Sequence, residues 1–126
     1  MSTRPHTYKA EETATSKHHF LTTGAAEQSC LTQSSAGAIC IGISEDDLVN
    51  GEGASVVDDD GDVAFLLVSE ACDEGAELKS NASGHGINDE SNATPENQWI
   101  GAIALGAATA ANDVIRVRKC GYWKYA

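Results

Sequence analysis

Hydrophobic and polar positions alternate most clearly over residues 98–119, QWIGAIALGAATAANDVIRVRK, where two strand-like runs are joined by a segment of Ala, Gly and Thr. In the first run Trp99, Gly101, Ile103 and Leu105 share one face. In the second, Ile115 and Val117 share one face, and Arg116 and Arg118 take the other. A period of two marks half-buried strands, because successive side chains leave a strand on opposite sides. A third run over residues 62–68 follows the turn pair Asp60-Gly61 and is apolar both at Val63, Phe65 and Leu67 and at Ala64, Leu66 and Val68. Apolar on both faces, it reads as a central strand covered by a second sheet or by a neighbouring subunit. Upstream, Ile39, Ile41 and Ile43 form a bulky strand face and Ala38, Cys40 and Gly42 a small one. Residues 54–57 lead into Asp58-Asp59-Asp60-Gly61-Asp62, a turn signal that predicts a hairpin to the strand beyond. Residues 80–95, SNASGHGINDESNATP, are the most loop-like internal stretch.

These elements predict an all-β fold, a small barrel or sandwich of some seven or eight short antiparallel strands. The first strand is expected to begin at His18-His19-Phe20. The residues before it, rich in Thr, Ser and charge and without periodicity, read as an extended N-terminal arm over 1–17. A barrel or sandwich domain over 18–119 follows, and then an aromatic tail over 120–126, which is expected to fold back over the barrel mouth or to pack on a neighbouring subunit or partner.

A chain of 126 residues has the size of one domain. With seven aromatic residues (two Phe, three Tyr, two Trp), its core must come largely from Val, Ile, Leu and Ala. No run of about 18 apolar residues occurs, so no spanning helix is expected. The opening residues carry no apolar signal-like stretch, which predicts synthesis in a cytoplasm.

The formal net charge of −11 is unevenly spread. Arg4, Lys9 and Lys17 lie near the start and Arg116, Arg118, Lys119 and Lys124 near the end, while residues 21–113 hold a single Lys, Lys79, against 17 carboxylates. The plain reading is a solvated acidic surface that keeps the protein soluble. The sharper one is a bipolar module with an acidic body and basic ends docked elsewhere. Neither favours nucleic acid, because an acidic body repels phosphates and the basic clusters are sparse.

No catalytic, cofactor or metal chemistry is expected. The four cysteines, Cys30, Cys40, Cys72 and Cys120, contain no C-x-x-C pair and read as free thiols. The Asp58–62 stretch lacks the ligand spacing of an EF-hand. There is no G-x-S-x-G elbow, P-loop or dinucleotide fingerprint. His18 and His19, adjacent in a strand, would point to opposite faces.

Residues 35–117 carry a recognisable order: a Gly-Ala strand (SAGAICIGIS), a short GEGASVV strand, an Asp-Gly turn into GDVAFLLVSEACDEGAEL, a SNASGHGIND turn, and WIGAIALGAATAANDVIRVR. This order resembles the small head-decoration, or cement, proteins of tailed bacteriophages. The resemblance implies a structural virion protein, made in the host cytoplasm, that binds the outer surface of an icosahedral head and bridges adjacent major capsid proteins. It also implies a homo-oligomer, a trimer before a dimer, with no membrane partner. A fibre-tip or carbohydrate-binding surface module is the alternative. The basic and aromatic ends nominate Arg4, Tyr8, Lys9, Lys17, Phe20, Arg116, Arg118, Lys119, Tyr122, Trp123 and Tyr125 as capsid or subunit contacts.

Overall fold

A computed structural model describes residues 6–89 and 97–124. Ten strands are assigned among them: β1 (His6–Ala10), β2 (Phe20–Thr23), β3 (Ser29–Thr32), β4 (Gly42–Ser44), β5 (Gly53–Val57), β6 (Val63–Val68), β7 (Glu77–Ser80), β8 (Gly86–Asn88), β9 (Gln98–Ala104) and β10 (Asp113–Lys124). The fold is all-β, as its alternation predicts, but the strands close into two barrels, β1-β3-β2-β4-β5 and β10-β6-β8-β7-β9. Each barrel contains one parallel pair, β1 with β3 and β6 with β8, so the strands are not uniformly antiparallel.

The second barrel repeats the first. In each, the first strand pairs antiparallel with the fifth and parallel with the third, and the second pairs antiparallel with both the third and the fourth. Register is kept as well as order. Opposition of Phe20 to Ile43 and of Leu21 to Gly42 matches that of Glu77 to Ile103 and of Leu78 to Ala102. Outside the strands, the isolated bridge Ala14–Leu48 has its counterpart in Cys72–Ala108. The carbonyl of Ala10 accepts from the Gly51 N–H as that of Val68 accepts from Asn112. Gly51 and Asn112 both adopt positive φ, 87° and 69°, a conformation open to glycine and tolerated by asparagine. Even one side-chain device recurs, since Glu12 accepts from the Thr32 backbone N–H where Glu70 accepts from that of Asn88.

Several sequence expectations change as a result. Residues 6–10, read as part of the arm, form β1 and close the first barrel against β5 and β3. Polarity misleads here because His6, Thr7 and Lys9 all point to solvent, and only Ala10 is fully buried. The Asp-Gly turn does not make a hairpin. β5 and β6 belong to different barrels, so residues 58–62 connect the two units. β4 covers only Gly42–Ser44, and Ile39, assigned to its bulky face, is 49% exposed. The supposed tail continues β10 as far as Lys124, with a register shift between Lys119 and Tyr122. β8 lies within the expected 80–95 loop, and residues 90–95 of that loop fall outside the described residues.

The core is divided in a way that holds the barrels together. Ala10, Leu21, Cys30, Leu48, Ala54 and Val56 fill the first barrel with small and medium side chains. Phe20, Ile43 and Val57, on neighbouring first-barrel strands, pack instead in one cluster with Ala64, Leu66, Val68, Leu78, Ala102 and Val117 of the second. Backbone bonds cross the same seam, from Phe20 N–H to the Gly84 carbonyl and from Leu67 N–H to that of His18. Gly101 makes room for the Phe20 ring, because a Cβ there would stand 2.6 Å from the ring edge.

Candidate interaction surfaces

The nominated residues divide into buried and exposed sets. Phe20 is completely buried, which removes it from any contact surface. Lys119, 7% exposed, places its ammonium 2.7 Å from Asp60 and serves the inter-barrel connection rather than a partner. Arg118 also reaches that connection, donating to the Gly61 carbonyl at 3.2 Å, although its side chain stays exposed. Lys9 and Lys17 are exposed; Arg4 and Tyr125 lie outside the described residues.

Tyr8 is partly buried on β1 and donates its hydroxyl to Asp58 at 2.6 Å. That bond holds its phenol up at about 12, and burial adds to the effect. His6 bonds the other Asp58 oxygen, and the carboxylate beside it raises the imidazole. Burial alone would lift Asp58, but the bonds from Tyr8 and His6 outweigh it and hold its carboxyl below the usual range. His6, Asp58 and Asp59 place ligand atoms within 4.8 Å of one another and are the only such group among the described residues. Its Asp58 oxygens are already engaged by His6 and Tyr8.

At the far end of β10, Trp123 opposes Trp99 of β9, and the rings meet edge to face at 5.3 Å and 80°. A bulge containing Gly121 admits the Trp99 ring, which a Cβ at that position would approach to 2.7 Å. Tyr122 donates to Glu77, and Lys124 lies 2.7 Å from both Glu77 and Asp89. Together Lys124 and Tyr122 hold the Glu77 carboxyl below the usual range. Tyr122 and Trp123 remain 37% and 39% exposed, so the chain does not bury them as a tail folded back over the barrel mouth would.

The other exposed surface was only half legible in the sequence. β6 and β10 pair so that Phe65 opposes Arg116 and Leu67 opposes Val114. Ala64, Leu66, Val68, Ile115 and Val117 turn inward, leaving Phe65 51% and Val114 46% exposed beside Arg116 and Arg118. Within the chain, the outer face of β6 is therefore not covered as its apolar pattern predicts. Arg116 was identified by its charge; Phe65 was missed, and its only signal was the doubly apolar run.

Nothing catalytic is assembled by the thiols. All four cysteines are free, and burial raises each of them, Cys40 to about 12 and Cys120 to about 11, so none is poised as a thiolate.

No protein-family model and no curated protein matches the chain. Among solved structures it is similar to the N base of head fibre gp8.5 in bacteriophage phi29, with a TM-score of 0.67, 11% sequence identity and coverage of 93% of each chain. At that identity the likeness establishes a shared fold. That structure is described as a head-fibre base, and the likeness does not reach the bridging cement role.

Proposed function

We infer that this chain is a structural protein of a tailed-phage head, standing on the outer shell as the base of a projecting fibre or similar surface module. The carrying observation is the correspondence, over nearly the whole of both chains, with the N base of the phi29 head fibre. The surfaces are consistent with a contact role: exposed apolar and basic side chains on β6/β10, an exposed aromatic pair at the end of β10, and an acidic remainder. Its partners on this reading are the major capsid protein and further copies of itself, and its place is the virion exterior.

Quantitative peptide mass spectrometry on purified particles, with antibody labelling of intact heads, tests this reading. A head-surface base is expected at a fixed, substoichiometric ratio to the major capsid protein, with label on the head. A ratio near one would favour the bridging cement role, and absence from particles would overturn the reading altogether.

A further inference from the structure

The tandem repeat supplies an internal comparison for the exposed face of the second barrel. Across β1 and β5, Thr7 opposes Ser55 and Lys9 opposes Gly53; at the matching places across β6 and β10, Phe65 opposes Arg116 and Leu67 opposes Val114. The first barrel closes in the same topology and register with polar or minimal side chains at these four positions. Barrel geometry therefore does not require apolar groups there. Exposed aromatic and branched side chains side by side carry a solubility cost that is removed when a partner covers them. Within the chain, the His18 ring meets Phe65 edge-on at 5.9 Å and still leaves it half in solvent.

Charge identifies the chemistry of the cover. The Arg116 side chain is exposed and has no hydrogen-bond or ion-pair partner among the described residues, in a chain whose net charge is −11. An unpaired guanidinium beside an apolar centre selects carboxylates arranged around an apolar patch. A twofold contact through this face would stack two arginine-bearing surfaces on each other, so like-charge repulsion disfavours a symmetric dimer. We propose that the outward face of β6/β10, formed by Phe65, Leu67, Val114, Arg116 and Arg118, docks on an acidic, apolar-centred patch of the phage shell. This proposal rests on the head-surface reading above and names the face and partner chemistry it would use.

The test adds purified chain to heads assembled without it and measures co-sedimentation. The wild type is expected to bind saturably. Phe65→Thr/Arg116→Ser, which gives the second barrel the Thr7/Ser55 pair of the first, is expected to lose about tenfold or more in affinity with an unchanged circular dichroism spectrum. Arg116→Glu, at an exposed and unpaired position, is expected to lose binding too and covers the case in which the double variant fails to fold. If folded variants bind like wild type, the face is wrong and the head-surface reading stands. If wild type does not bind heads, that reading fails and takes the proposed partner with it. If wild type sediments alone as an oligomer that Arg116→Glu dissociates, a second copy occupies the face and the shell assignment is overturned.

Discussion

Single residues decide whether the two barrels can meet. Phe20 leaves β2 into the shared core, and its ring lies where Gly101 has no side chain. Gly101→Ala forces a methyl against that buried ring and is expected to cost about 1–3 kcal/mol by overpacking, whereas Phe20→Ala should cost about 3–5 kcal/mol by leaving a cavity. Urea denaturation of the two variants checks both figures. If Gly101→Ala is neutral, the ring has room to move and the seam is looser than described. The thiols give a second test at this scale. With Cys30, Cys40 and Cys72 buried and every thiol raised by burial, reaction with an aromatic disulfide reagent at pH 8 should be slow in the native protein. All four should react rapidly after denaturation. In the sequence Cys40 stood on the small face of an alternating run and Phe20 was nominated as a contact; that Phe20 would be entirely enclosed was not legible, because a strand's period names two faces without saying what each one meets.

Among the elements, β10 has the most to explain. Its first half was plain from alternation, since Ile115 and Val117 turn inward and Arg116 and Arg118 outward. Its last turnings were not. Cys120 and Gly121 break the period at the bulge, and the aromatic residues beyond it read as a tail although they remain paired with β9. The end of this strand is held by the Trp99–Trp123 stack and by Glu77, which binds Tyr122 and Lys124. Trp123→Ala and Trp99→Ala should show a coupling of about 0.5–1.5 kcal/mol in a double-mutant cycle; additive losses would mean that the rings pack independently. Glu77 has a depressed carboxyl in the folded state, so its contribution is present above the ordinary carboxylate range and is lost as pH falls through the folded value. Glu77→Gln is therefore expected to reduce the stability difference between pH 7 and pH 3, read from thermal midpoints.

At the scale of the whole molecule, the seam between barrels is lined by histidines. His19, from the segment before β2, meets His85, from the segment before β8, with ring centroids 4.6 Å apart, and His18 meets Phe65. Burial, and then the neighbouring His19, lower the His85 imidazole; burial also leads the lowering at His18, with Lys17 and His19 adding to it and Glu45 and Asp47 opposing. A group depressed in the folded state binds protons more readily when unfolded, so stability is lost as pH falls below the ordinary histidine range. His18 and His85 thus pull the thermal midpoint down between pH 7.5 and 5 while His6, raised by Asp58, works the other way, so His85→Gln should lose less stability over that window than the wild type. An unchanged slope in the variant would place the pH dependence elsewhere.

What the sequence determined by itself was the all-β class, the inward positions of the first half of β10, and the concentration of acid in the middle of the chain, because these follow from local periodicity and composition. Tertiary structure alone decided that there are two barrels, that one repeats the other, and that Asp58–62 joins units instead of turning a hairpin. The repeat is invisible in the residues because matched positions keep their inward or outward direction far more often than their identity; Leu21 with Leu78 and Ile43 with Ile103 are among the few that coincide. Barrel closure depends on backbone pairing and on which side chains are small enough to pack, and many sequences satisfy both. An exposed Phe65 beside Arg116 becomes informative only when Thr7 and Ser55 are seen at the same places in the other barrel.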